Sequence, residues 1–339
     1  MSPDQLISAE PSAIQRAVAT ALTGLPITPV AAGYGMEPTI LSDALAVYHQ
    51  AGREALARQA STVEWWQVYL HFTDWTNADE TFAAHILPLL QEAENAGLIV
   101  GWWYIRKPPC WRLRLRVGSE GAVLGRATGL DRLGLHRLVA DGHLLRSWPV
   151  VYEPETAAFG GTDSMAAAHA LFIADSREVQ RLRQDDSPTV GPRELSVLLC
   201  THMMRAAKLE WYEQGDVWDR VIAVEHRSAL DDVPVARLNA LAQGIRPLLL
   251  ADSDAMVRSG GPLEPVAEWA AAFRSAGQAL GHAVQVGKLD RGLRQVLSYH
   301  VIFHWNRLGL SMRGQSVLAW AARAAILHGE NGTWTGCTV

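Results

Sequence analysis

The sequence predicts an α+β fold: a mixed sheet domain with a large helical second half, preceded by a small N-terminal helical domain. Three observations carry the prediction. Segments rich in Trp, Tyr and branched residues, partly alternating, recur between residues 64 and 152, which is how half-buried strands read. From about Ser164 onward the apolar residues return at helical spacing almost without interruption. Residues 1 to about 60 are Ala-rich and lack Trp, and read as short helices. The domain expectation is therefore 1–60 for the helical module and 61–339 for the rest.

Taken in order, Ser12 suits the N-cap of a helix through Leu22, stopped by Gly24-Leu25-Pro26. With a turn at Gly35 and a second helix from about Pro38 to Gln50, the outline is like a helix-turn-helix. A first strand is expected at Glu64–Phe72, a helix from about Ala78 to Ala96, and strands at Leu98–Arg106 and Trp111–Val117. Lys107-Pro108-Pro109-Cys110 must be their turn, because proline cannot donate to a sheet ladder. A helix near Gly129–Asp141 and a strand near Trp148–Tyr152 complete the sheet layer. Helices are then expected at 164–174, 176–184, 192–213, 235–251, 262–286, 289–304 and about 313–328. The Trp-rich stretch Glu210–Trp218 reads as an amphipathic packing helix with a Gly break.

Composition narrows the function. With 49% hydrophobic and 19% charged residues, 339 residues suffice for one large core plus an accessory module. A net charge of -5 argues against a protein devoted to wrapping nucleic acid. Residues 1–60 carry three cations, Arg16, Arg53 and Arg58, against the five acids Asp4, Glu10, Glu37, Asp43 and Glu54. A DNA-reading helix needs the opposite balance. Charges break every apolar run well before membrane-spanning length, and Met1-Ser2-Pro3-Asp4-Gln5 offers no signal peptide. Cys110, Cys200 and Cys337 stand far apart, which fits a reducing cytoplasm. The 13 Trp against 6 Phe and 7 Tyr suit either a gripping cleft or plain core filling.

The most informative segment is Trp111-Arg112-Leu113-Arg114-Leu115-Arg116. On a strand, these arginines share one face. Three adjacent guanidiniums repel and are costly to desolvate, so the pattern suits an anion lying across them, held by bidentate forks. The alternative is an exposed face paired with acids from a neighbouring helix.

Four blocks then carry a resemblance. Tyr104-Ile105-Arg106 followed by Pro108 to Arg114, Tyr152-Glu153-Pro154-Glu155 through Phe159-Gly160-Gly161, Asp175-Ser176, and His300 through Asn306-Arg307-Leu308-Gly309 occur in this order. They resemble the signature segments of lantibiotic dehydratase C-terminal domains, including the stand-alone forms of thiopeptide-type pathways, over residues 65–328.

That resemblance implies a lyase step. A partner protein attaches glutamate to Ser or Thr of a ribosomal precursor peptide, and this domain eliminates it to leave dehydroalanine or dehydrobutyrine. The implied partners are the precursor peptide (leader and core) and the glutamylating dehydratase, without direct contact to tRNA or membrane; a homodimer is left open. No cofactor or metal is implied. The chemistry needs a base for the Cα proton, donors for the enolate oxygen and a cationic seat for the departing glutamate. By block matching, the resemblance implies Arg112, Arg114, Glu155 and His304 as catalytic residues, with Arg114 on the leaving group. Arg106, Arg116, Asn306 and Arg307 are expected as substrate-binding residues, with Arg106, Arg116 or Arg307 compensating for the family arginine missing at Ala158. Ala158 departs from the family, which usually carries an arginine there. His300 and His304 share a helix face, yet no third ligand or intervening Glu accompanies them, so no metal site is expected. Two other readings compete: a pyridine synthase joining two dehydroalanines by formal aza-[4+2] cycloaddition with leader release, and a non-catalytic scaffold delivering peptide to a dehydratase.

Overall fold

The computed structural model describes residues 11–184, 190–224, 230 and 233–327; Met1–Gln5, Glu10, Cys337 and residue 328 lie outside them. The chain divides into two compact units, Met1–Val63 and Glu64–Val339. The first contains helices α1 (Pro11–Ala21), α2 (Ile27–Gly33) and α3 (Pro38–Glu64). Ala17, Val18, Val30, Ala31, Leu41 and Leu45 form its core. Ser12 lies within α1, and α3 runs some 14 residues beyond the expected end at Gln50.

The second unit opens with β1 (Trp65–Phe72), α4 (Ala78–Thr81), a π-helical turn (Phe82–Ile86) and α5 (Leu87–Asn95). There follow β2 (Ile99–Lys107), β3 (Cys110–Val117), α6 (Ser119–Arg132), α7 (Leu135–Ala140) and β4 (Leu144–Val150). The strands lie in the order β2-β3-β1-β4, and every neighbouring pair is antiparallel. The expected mixed sheet is thus corrected to an antiparallel one. Each helical crossover skips one strand position, and the strand that fills the gap runs the other way, giving a split β-α-β arrangement. Pro108 and Pro109 form the β2–β3 turn.

Alternation along the strands divides the sheet into two faces. Trp66, Val68, Leu70, Phe72, Trp102, Tyr104, Trp111, Leu113 and Leu115 pack under α4, α5 and α7. The opposite face carries Trp65, Gln67, Tyr69, Trp103, Ile105 and the three β3 arginines. It is partly roofed by α8 (Thr162–Arg183), whose Met165, Ala168 and Phe172 join Trp65, Trp103, Tyr152 and Phe159. Gly101 permits that approach: a Cβ there would stand 2.9 Å from the Ile173 side chain.

Beyond α8 the chain is helical: α9 (Pro192–Ala206), α10 (Trp211–Ala223), α11 (Val235–Leu250), α12 (Ser253–Met256), α13 (Ala267–Gln285), α14 (Leu293–Leu308) and α15 (Met312–Leu327). They enclose a second large core that includes Met203, Trp218, Trp269, Phe273 and Trp305. Glu210 closes a capping box at the start of α10, and Gly215 lets α10 lie against Ile326 and Leu327 of α15. No helix among the described residues is long and apolar enough to cross a membrane.

Candidate functional site

The four strands contain Arg106, Lys107, Arg112, Arg114, Arg116 and Arg146, and no Asp or Glu. In a chain of net charge -5, that concentrates positive charge on one small sheet. The cross-strand register places Arg116, Arg114 and Arg112 opposite Trp65, Gln67 and Tyr69 of β1, and opposite Gly101, Trp103 and Ile105 of β2.

Burial separates the three arginines. Arg116 is exposed, Arg112 half-buried and Arg114 only 2% exposed. Arg114 donates through Nε to Gln67 Oε1 at 2.7 Å and through Nη1 to the Arg112 carbonyl at 3.3 Å. Gln67 is itself held by donating Nε2 to the Val151 carbonyl. The guanidinium carbon lies 4.3 Å from the Trp103 ring centre and 5.6 Å from that of Tyr152. Burial lowers its pKa to about 10, against the attraction of Tyr152 and Glu155. The side chain is therefore oriented and still charged at neutral pH, without an ion-pair partner among the described residues.

Around it stand residues from the β4–α8 connection and from α8. The Tyr152 hydroxyl and His169 Nε2 share a hydrogen bond of 2.7 Å. The His169 ring lies 4.7 Å from that of Trp65. Burial, reinforced by Arg114 and Arg116, lowers the His169 pKa to about 4, so the imidazole is neutral at physiological pH. Burial also pushes the Tyr152 phenol well up, keeping it protonated. Glu155 acts electrostatically on Arg114 and Tyr152, and its Oε2 is buried without a hydrogen-bond partner. Ala158 packs among the apolar residues of this layer and brings no charge.

The C-terminal block lies elsewhere. Asp175 Oδ1 accepts from Trp269 Nε1 and contacts His304 Nδ1, both at 2.9 Å, while Oδ2 accepts from Arg307 Nε at 2.6 Å. His304 is 1% exposed, and Asp175 and Arg307 are 0% exposed. Burial by itself would raise the Asp175 carboxyl, but attraction to His304 and Arg307 outweighs it and holds the pKa low. Phe172 stands between this cluster and the sheet, with its ring 4.6 Å from the Arg307 guanidinium carbon and 4.7 Å from the Trp103 ring. Asn306 pairs with the backbone of Arg106, donating to its carbonyl at 2.6 Å and accepting from its N–H at 2.7 Å. Arg106 itself is ion-paired with Asp79 and lies over Trp111.

Four of the expected positions lie away from the arginine row of β3. His304 and Arg307 face a sealed core, Asn306 clamps α14 to β2, and Arg106 is neutralised by Asp79. His304 Nε2 and both Arg307 Nη atoms are buried without a hydrogen-bond partner. Arg112 and Arg114 share one sheet face, and Glu155 acts electrostatically on Arg114 from the β4–α8 connection; Arg116 lies at the exposed end of the row. His169 was missed. Its only signal is its place one residue after Ala168 and three before Phe172 on the inward stripe of α8. Among the described residues, no three His, Cys, Asp or Glu side chains converge as a metal site. Two cavities of about 710 and 430 Å³ lie in the helical half, the first beside Arg237, Leu241 and Ile245, and touch none of the site residues.

A family model described as lantibiotic biosynthesis dehydratase C-term matches residues 65–326. The chain belongs to that family. The match spans the sheet, its arginine strand and the helical half through α15. Solved structures share the fold. The tRNA-dependent lantibiotic dehydratase MibB from Microbispora sp. 107891 is 19% identical with a TM-score of 0.55, over 78% of this chain. TsrL is 16% identical with a TM-score of 0.53, covering 77% of this chain and 94% of its own. The pyridine synthase TbtD from thiomuracin biosynthesis is 17% identical with a TM-score of 0.50, covering 78% and 98%. The chain corresponds to only 28% of MibB's length. No curated protein matches significantly.

Proposed function

We propose that this protein is a lyase that eliminates glutamate from glutamylated Ser or Thr of a ribosomal precursor peptide, leaving dehydroalanine or dehydrobutyrine. The observation that carries the reading is Arg114, buried, oriented by Gln67 and unpaired with any described carboxylate. A desolvated guanidinium with a free donor edge is a seat for a carboxylate, and glutamate leaves as one. Arg112 beside it adds positive charge to the seat. Residues 61–339 form the catalytic body in this reading, and 1–60 a separate module.

The chemistry follows from neighbours. His169 donates its Nε2 proton to the Tyr152 oxygen, leaving Nδ1 to take the Cα proton. The Cα–H electrons form the Cα=Cβ bond, the Cβ–O bond breaks, and glutamate departs onto Arg114. Tyr152, kept protonated, orients the imidazole and can donate toward the developing enolate oxygen. Glu155 balances the local positive charge. His169 is a weak base in the free protein because burial and two arginines hold its pKa near 4. Binding of the substrate's carboxylates offsets the arginines and raises its basicity. The partner that supplies the ester is a glutamylating dehydratase, working with this protein in the cytoplasm.

One observation favours a second reading. The chain spans nearly all of TsrL and of the pyridine synthase TbtD, and Ala158 stands where the family usually has an arginine. A cycloaddition, however, releases no glutamate for Arg114 to hold. The test is to incubate the protein with a peptide bearing glutamyl-Ser and, separately, with one bearing paired dehydroalanines. Mass spectrometry should show loss of glutamate from the first. Ring formation with leader release from the second would establish cycloaddition instead, and unchanged peptides with measurable binding would leave a scaffold. Arg114→Ala should abolish glutamate loss with an unchanged circular dichroism spectrum; persistent turnover would overturn the site assignment.

A further inference from the structure

The arginine-bearing face extends beyond Arg114, the residue that receives the departing glutamate. Across β4, β1 and β3, the side chains Arg146, Trp148, Tyr69 and Arg112 make a continuous, half-buried to exposed ribbon. The Arg146 guanidinium carbon lies 4.0 Å from a ring centre of Trp148, the Trp148 and Tyr69 rings are 5.4 Å apart, and Arg112 lies 5.2 Å from Tyr69. Neither arginine forms an ion pair among the described residues, and no strand of the sheet carries an acid. Stacking makes each guanidinium rigid while leaving its in-plane N–H edge for an acceptor. It also narrows the choice of ligand. One face of each ring is taken by a guanidinium and the rings tilt by 58°, so no parallel pair of open faces remains for successive bases to stack on. What remains is a row of carboxylate forks.

We propose that this ribbon docks an acidic segment of the peptide substrate, Arg146 and Arg112 each forking one carboxylate. The proposal rests on the peptide-substrate reading above. β4 and β3 flank β1, so the two forks stand on the order of 10 Å apart, about the spacing of acidic residues three positions apart in a polyproline II segment, which returns every third side chain to the same side.

The test uses fluorescence anisotropy of the full chain with a dye-labelled peptide carrying Glu at three-residue spacing, without Ser, Thr or any glutamyl ester. The same peptide with Gln in place of Glu serves as control, and a single-stranded RNA oligonucleotide as competitor. The Glu peptide should bind about tenfold or more tightly than the Gln peptide, the scale of one charge-assisted hydrogen bond. Arg146→Glu and Trp148→Ala, with wild-type circular dichroism, should each weaken it by a similar factor. Equal binding of the two peptides, wild-type affinity in Arg146→Glu, or displacement by RNA at lower concentration than by unlabelled Glu peptide would overturn the proposal. Since the probe carries no ester, glutamate release persisting without probe binding removes only this inference. Probe binding without release removes only the lyase reading.

Discussion

Arg114 is the most costly side chain to bury on the sheet face that carries it. Burying a guanidinium without a carboxylate is unfavourable, and Gln67, Trp103 and Tyr152 offset that only in part. In the proposed lyase, a carboxylate ligand completes the compensation. The guanidinium is planar and stacked on Trp103, so Arg114→Lys should not rescue activity: glutamate release should fall about 100-fold or more, as when one preorganised donor is lost from an anion site. Stopped assays with glutamylated peptide measure this. His169 gives a second prediction. The acid limb of kcat/KM reports the free protein and should lie near the His169 pKa of about 4. The limb of kcat should lie higher, because bound carboxylate offsets the arginines. In Arg114→Gln, any residual activity should show a kcat/KM limb shifted upward, toward 6.5. Limbs that coincide and do not move would remove His169 from the reaction.

At the scale of elements, the β4–α8 connection positions half of the site. Gly160 and Gly161 take φ of 81° and 108°, and Cβ atoms there would stand 2.5 Å from Leu289 and 2.6 Å from Asp290. Gly160→Ala should therefore lower stability by about 1–3 kcal/mol through backbone strain. It should also reduce turnover of the folded protein, since Tyr152 and Glu155 hang on that loop; chemical denaturation and single-turnover rates read the two effects separately. The strands and their turn were legible because aromatic and branched residues alternate and two prolines punctuate them. Helix boundaries were harder. The expected helix 192–213 is two helices, broken where Lys208 adopts φ of 68°. No Gly or Pro marks that break, because a lysine has taken a conformation usually left to glycine. Conversely, 162–183 is a single helix where two were expected, since Asp175 and Ser176 look like a break but are buried polar anchors.

At the scale of the molecule, Asp175 ties α8 to α13 and α14 through Trp269, His304 and Arg307. Asp175→Asn should destabilise the fold by about 3–5 kcal/mol, because it leaves the Arg307 charge buried and uncompensated. Thermal or denaturant unfolding checks this. Two buried histidines also make stability depend on pH. Burial lowers His300 to about 3 and His169 to about 4, from an ordinary 6.5. Between those values and 6.5 the unfolded chain binds protons that the folded one does not, so stability should rise with pH across that window and fall on acidification. His300 has both ring nitrogens buried without partners, so His300→Leu should flatten this dependence, measured as Tm against pH.

The sequence by itself determined the fold class, the division into helical and sheet-bearing regions, the arginine row and the family, because periodicity, proline positions and block order are local properties of the chain. Only the tertiary structure decided which polar residues are sealed in a core and which stand beside the arginine row. His304 and His169 look alike in the sequence, yet one is sealed against Asp175 and the other stands beside Arg114 and Tyr152. That difference arises from how α8 and α14 pack on the sheet, and burial, which sets charge and access, is a property of packing rather than of residue type.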